Sequence, residues 1–140
     1  MRSAPHLDRQ ELAAIFAGGF LGAVARAALA QTLSVRPDEW PWATFAVNIL
    51  AALVLGYAIT QFQQRLPHER PPHVVLDRAF LGTGFCGALS TFSTMMLELL
   101  RMIDGAHWAL AFGYAIASVA CGLGAVLLTS RLARRGRTRI

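Results

Sequence analysis

Lysine is absent: the 13 basic residues are all arginine, set against 8 acidic ones. Charge of either sign is scarce, at 15% of 140 residues, whereas 55% are apolar and the mean hydropathy is +0.46. So little polar surface excludes an ordinary soluble domain, and so much apolar content excludes a disordered chain. Cysteine is limited to Cys86 and Cys121. That excludes a disulfide framework or a zinc-binding spacing, and both residues fall inside apolar runs, where small buried hydrophobes are expected. His6, His68, His73 and His107 lie in tails or at run edges, and no pair has metal-ligand spacing. No nucleophile, general base or hydrolytic metal constellation is visible, so an enzyme is not expected. The net charge of +5 does not point to nucleic acid, because the arginines flank apolar runs as they do beside membrane helices.

Four apolar runs are present, at 12–33, 42–62, 79–100 and 106–130. Each approaches the ~20 residues that a bilayer core demands, and helices are the only open-chain way to satisfy backbone groups there. The expected fold is therefore all-α and integral to the membrane, a single domain over 1–140 with an Arg-rich tail at 131–140. Turn-forming chemistry separates the runs: Arg36-Pro37-Asp38-Glu39, the stretch from Pro67 to Pro72, and Arg101 to Gly105. Trp40, Trp42 and Trp108 stand at run edges, as in an aromatic belt. Ala28-Leu29-Ala30 resembles a signal-peptidase site, but Asp8 and Glu11 before the run and Arg26 within it argue against a cleaved signal.

Four spans put both termini on one side. That side holds ten arginines (Arg2, Arg9, Arg65, Arg70, Arg78, Arg131, Arg134, Arg135, Arg137 and Arg139), and the other holds two, Arg36 and Arg101. The bias predicts cytoplasmic termini.

Polar residues inside the runs are candidates for function or pairing. Arg26 interrupts run one, as a structural, snorkelling residue or as a functional one. Glu98 lies about a turn from the end of run three, where a hydrated structural role is expected. Asn48 sits near the middle of run two, where a lone amide is expected as helix–helix glue. In run three, the glycines and hydroxyl residues of Gly82-Thr83-Gly84-Phe85-Cys86-Gly87-Ala88-Leu89-Ser90-Thr91-Phe92-Ser93-Thr94 make a poor continuous helix. A break there would free carbonyls for a cation and amides for an anion; the alternative is a small-residue packing face. Tyr114, Ser118 and Gly122 share one face of run four, and Thr44, Asn48, Ala52 and Gly56 share one face of run two.

Taken together, Gly18-Gly19-Phe20-Leu21-Gly22-Ala23-Val24-Ala25-Arg26, Thr44-Phe45-Ala46-Val47-Asn48 and Gly84 through Glu98 resemble the Fluc (CrcB) family of fluoride channels across residues 12–130. The resemblance implies four-helix subunits with a broken third helix, paired as an antiparallel dual-topology dimer in the cell (inner) membrane. It implies passive fluoride export through two pores lined by both subunits. It also implies a structural sodium ion held by the backbone carbonyls of Gly87 and Ser90 from each subunit. On the same ground Asn48, Phe92, Met95, Tyr114 and Ser118 line the fluoride path, with Arg26 and Glu98 in structural or vestibule roles. Three departures stand out: Ser90 replaces a usual Thr, Ala88 a common Gly, and Met95 one of a pair of phenylalanines. A thioether cannot offer the positive ring edge of an aromatic. The antiparallel second subunit is a second copy of this chain or an oppositely oriented relative; the arginine bias argues for a single orientation and so raises the second arrangement. Two rival classes remain: a coupled transporter, which wants an acidic residue deep in run one where only Glu11 stands at the lip, and a non-conducting membrane assembly subunit.

Overall fold

A computed structural model describes residues 8–32, 36, 38–64 and 72–135. Among them the structure is entirely helical. Helices α1 (Arg9–Thr32) and α2 (Trp42–Gln64) are followed by a third rod built in pieces: α3 (Pro72–Arg78), a π-helical stretch (Ala79–Cys86), a single turn α4 (Gly87–Leu89), and α5 (Phe92–Asp104). Helix α6 (Trp108–Arg135) completes the bundle. Four helices are long and apolar enough to cross a membrane, and the 24 residues of α1 span about 36 Å, ample for a bilayer core. The chain is thus a multi-pass membrane protein. Arg2, Arg65, Arg70, Arg137, Arg139, His6 and His68 lie outside the described residues.

Two boundaries differ from the sequence expectation. The third rod starts at Pro72 rather than near residue 79. Proline suits a first helical turn, where its missing N–H has no partner to lose, while Asp77 and Arg78 hide this helix from a reading based on apolar runs. Helix α6 runs on through Arg131, Arg134 and Arg135, so part of the expected tail is a helical extension.

Helix α1 lies directly on the π-helical stretch. Gly18 abuts the Phe80 backbone and Gly22 abuts the Phe85 carbonyl, while a Cβ on Gly84 would come within 2.6 Å of the Ile15 carbonyl oxygen. This is the small-xxx-small contact expected of membrane helices. Helices α2 and α6 meet in the same way at Gly56, which packs against Val126 and Thr129. One apolar cluster joins Val47, Ala51, Cys86 and Leu89; another joins Met95, Met102, Ala111 and Tyr114, with Trp40 edge-on to Tyr114 at 5.4 Å between ring centroids. Cys86 is buried as expected, but Cys121 is on the outer side of α6. On a different face of α6, Phe112, Ile116, Val119 and Leu123 are also exposed and form a continuous apolar stripe suited to lipid or to a partner.

The turn between α5 and α6 closes by paired capping bonds: the His107 amide donates to the Met102 carbonyl at 2.8 Å and the Ala106 amide to that of Ile103 at 3.0 Å. Ala106 takes the left-handed position, with φ of 61°. Alanine pays about 1 kcal/mol there that glycine does not. Ala106→Gly should therefore raise the detergent-solubilised protein's stability by about 0.5–1 kcal/mol, read as an upward shift in melting temperature.

Candidate functional site: the interruption of the third rod

Helical geometry ends at Leu89 and restarts at Phe92, with Ser90 (ψ 153°) and Thr91 (φ −148°, ψ 117°) extended between them. The glycine-and-hydroxyl stretch is thus broken at Ser90 and Thr91, while its Gly84 packs closely against α1. Asn48 of α2 clamps the gap from both sides. Its Nδ2 donates to the Thr91 carbonyl at 3.1 Å, and its Oδ1 accepts from the Thr91 amide at 2.8 Å. Thr91 Oγ1 in turn caps α5 by accepting from the Thr94 amide at 3.2 Å.

These bonds divert donors from two carbonyls. In an unbroken helix the Thr91 amide would go to Gly87 and the Thr94 amide to Ser90, four residues earlier. Here they go to Asn48 and Thr91 instead. Ser90 itself turns back, its amide and its hydroxyl both donating to the Cys86 carbonyl at 3.1 and 2.9 Å. Gly87, Ser90, Asn48 and Gly122 line one open groove of about 500 Å³ on the outside of the protomer. A Cβ on Gly87 would meet nothing within 4 Å.

On the other side of the clamp, Arg26 lines a cleft of about 300 Å³ with Thr44, Thr91, Ser93 and Thr94. Among the described residues Arg26 makes no ion pair. A cation, several hydroxyls and the first turn of α5 share this opening, an environment that favours an anion. Asn48 lines the groove, while Thr44 and Val47 of the same helix and its partner Thr91 line the cleft. One of its amide hydrogens is committed to Thr91; the other has no partner among the described residues.

Glu98 is 4% exposed. Its Oε1 accepts from Thr44 Oγ1 at 2.5 Å and its Oε2 from the Tyr114 hydroxyl at 2.9 Å, joining α2, α5 and α6. The expected hydrated position at the interface is therefore corrected: helix packing encloses the carboxyl, and two hydroxyl donors satisfy it. The Tyr114 hydroxyl, wholly buried, gives its single hydrogen to Glu98 and has none left for an anion. Ser118, one turn along α6, has a shielded Oγ with no hydrogen-bond partner among the described residues. Phe92 is 71% exposed at the start of α5, whereas Met95 is only 9% exposed and belongs to the inner cluster.

The structure therefore brings Asn48, Ser90, Gly87 and Gly122 to one groove, and gathers Tyr114 and Glu98 into a separate buried linkage. Sequence reasoning did not single out Thr91, on which both the clamp and the α5 cap depend. The signal was available as a hydroxyl residue three positions before Thr94 at a helix start. Thr44 was marked only as part of a polar face, since a bond to a residue 54 positions away leaves no local trace.

Comparison with known proteins gives a consistent identity. The family described as CrcB-like protein, Camphor Resistance (CrcB), matches residues 13–130, covering all four spans and the interruption. The chain is 51% identical to "Fluoride-specific ion channel FluC 1" of Mycolicibacterium paratuberculosis over 132 residues, covering 94% of this chain and 96% of that protein. It is 48% identical to the protein of the same name from Mycobacterium bovis over 135 residues, 96% of this chain and 98% of the relative. It is also 39% identical to "Fluoride-specific ion channel FluC" of Pyrococcus furiosus over 129 residues, 92% of this chain and 100% of the relative. With four spans, an interrupted third rod and matches that run nearly end to end, the chain belongs to the CrcB-like protein family.

Proposed function

We propose that this chain is a subunit of a fluoride-selective channel that lets fluoride leave the cell passively. The observation that carries the reading is the Asn48 clamp: a half-buried amide held by both polar groups of the Thr91 backbone, with one N–H left over where Asn48 lines the open groove. Fluoride is small and strongly hydrated, so a path must replace its water bonds with donors that are numerous but individually weak. The Asn48 amide, the unpartnered Ser118 hydroxyl and the positive ring edge of Phe92 meet that requirement. Tyr114 and Met95 contribute wall rather than donors, and Tyr114 holds its place through Glu98. Arg26 raises local anion concentration at the cleft without being in the narrow path. Nothing in this arrangement calls for a chemical reaction, and passive movement down a gradient needs no coupled proton.

The Gly87 and Ser90 carbonyls suit a sodium ion. Both have lost their helical donors, both are oxygens of the kind a hard cation takes, and they open on a groove with room for a second subunit. When bound, the ion supplies a fixed positive charge that offsets repulsion among carbonyls brought together from two protomers. Protein prepared without sodium, with N-methylglucamine substituted, should lose fluoride flux and regain it on adding sodium; unaltered flux would remove the ion from the account.

The second subunit lies antiparallel in this reading, placing the two grooves face to face in the bilayer. The ten-to-two arginine bias fixes one orientation for this chain, so its natural partner is an oppositely oriented relative. Co-expression with such a relative followed by crosslinking should capture the mixed pair. An active antiparallel dimer made from this chain alone would overturn the mixed arrangement. As a test of function, the pair should restore growth at inhibitory fluoride to a bacterium that has lost its own fluoride efflux; no rescue by well-expressed protein would count against the channel.

A further inference from the structure

At the end of the bundle that holds the start of α1 and the close of α2, a cavity of about 320 Å³ is lined by Glu11, Arg78 and Thr83 together with Phe62, Val74 and Ala79. It lies apart from Asn48, Arg26 and the interruption. An acid and a base share its wall, yet among the described residues neither forms an ion pair. Opposite charges that line one cavity without closing on each other leave both free for a ligand that carries both signs.

A second cavity, of about 230 Å³, adjoins the first, sharing Phe62, Arg78 and Thr83 and continuing along Leu55, Ala58 and Ile59. Those α2 residues follow helical spacing on one face, and the step from Phe62 to Leu55 carries the wall about 10 Å deeper along the helix. The combined space is thus charged at the level of a helix end and apolar toward the middle of the membrane. That gradient matches a phospholipid.

We infer that Arg78, Thr83 and Glu11 form a headgroup site for a phospholipid bearing a primary amine, of the phosphatidylethanolamine type, with an acyl chain lying against Leu55, Ala58 and Ile59. Arg78 and the Thr83 hydroxyl donate to the phosphodiester oxygens. The Glu11 carboxylate accepts hydrogen bonds from the ammonium group. A choline headgroup has no N–H to donate and is bulkier, and a glycerol headgroup brings no positive charge to meet Glu11. The selectivity therefore resides in Glu11, and the general affinity for phosphodiesters in Arg78.

Native mass spectrometry of the full chain in detergent tests this, using phosphatidylethanolamine, phosphatidylcholine, phosphatidylglycerol and inorganic phosphate as separate probes. The ethanolamine lipid should be retained about tenfold more than the other two lipids, with phosphate alone not retained. Arg78→Gln should lower retention of all three lipids about tenfold, and Arg78→Lys should keep most of it. Glu11→Gln should leave phospholipid binding but abolish the preference for the amine. Neither residue belongs to the proposed ion path, so fluoride efflux by these variants should match the parent, which also verifies folding. Equal retention of the three lipids by the parent protein would overturn the site. So would a preference that survives Glu11→Gln, equal losses for Arg78→Lys and Arg78→Gln, or phosphate held as tightly as lipid.

Discussion

Asn48→Asp should abolish fluoride flux while leaving a folded protein. An aspartate at this position still accepts from the Thr91 amide, but it has no hydrogen for the Thr91 carbonyl and turns an oxygen toward it instead. The spare N–H, a fluoride donor in the proposed path, is lost in the same change. A full negative charge also enters the path: two like charges 4 Å apart repel by about 4 kcal/mol at an effective dielectric constant near 20. Since each ~1.4 kcal/mol of barrier is tenfold in rate, efflux should fall by at least roughly a hundredfold. Asn48→Ala separates the two effects, because it removes the clamp without adding charge; its flux should be reduced less severely. Asn48→Asp with efflux within a few-fold of the parent would place Asn48 outside the path.

Gly22→Val should fail at the level of assembly. The Gly22 Cα lies against the Phe85 carbonyl, and a Cβ there would also come within 3.1 Å of the Leu89 amide nitrogen. Both obstacles are backbone, so no side chain can yield and α1 must separate from the third rod. Overpacking of this kind costs about 1–3 kcal/mol where side chains can adjust, and more where they cannot. Leu89 is the last residue before the interruption, so the displacement also reaches the clamp. Loss of monodisperse protein on size-exclusion chromatography is the expected result. Gly87→Ala is the contrasting case: its Cβ meets nothing within the protomer, so the subunit should fold normally, and any defect should appear in pairing or flux. Equal tolerance of Gly22→Val and Gly87→Ala would contradict the close α1 contact.

Much of this architecture was legible because membrane insertion depends on local composition. Apolar runs of span length, arginine flanks and edge tryptophans fix four helices. The glycines of 82–87 and the hydroxyls of 90–94 mark the stretch that holds the interruption, but composition alone leaves an unbroken small-residue packing face as the alternative. Less legible was whatever depends on pairing between distant segments. Asn48 is an isolated amide in sequence; only the fold shows that it holds both polar groups of the Thr91 backbone. Glu98 reads as nearly interfacial by its position along the run, yet Thr44 and Tyr114 close over it. Tyr114 and Ser118 read as one polar stripe, and burial divides them: one hydroxyl is spent on Glu98 and the other has no partner. The early start at Pro72 escaped notice because Asp77 and Arg78 interrupt hydropathy without interrupting a helix.

The most direct test of the central claim is ion-selective-electrode recording of efflux from proteoliposomes, with fluoride in one set and chloride in another. Two preparations are needed: this chain by itself, and this chain co-purified with an oppositely oriented relative. Rapid fluoride release without a proton gradient, with chloride retained, is the result expected of the paired preparation. Fluoride release no faster than chloride release in both preparations, from protein shown to be folded and inserted, would contradict the account.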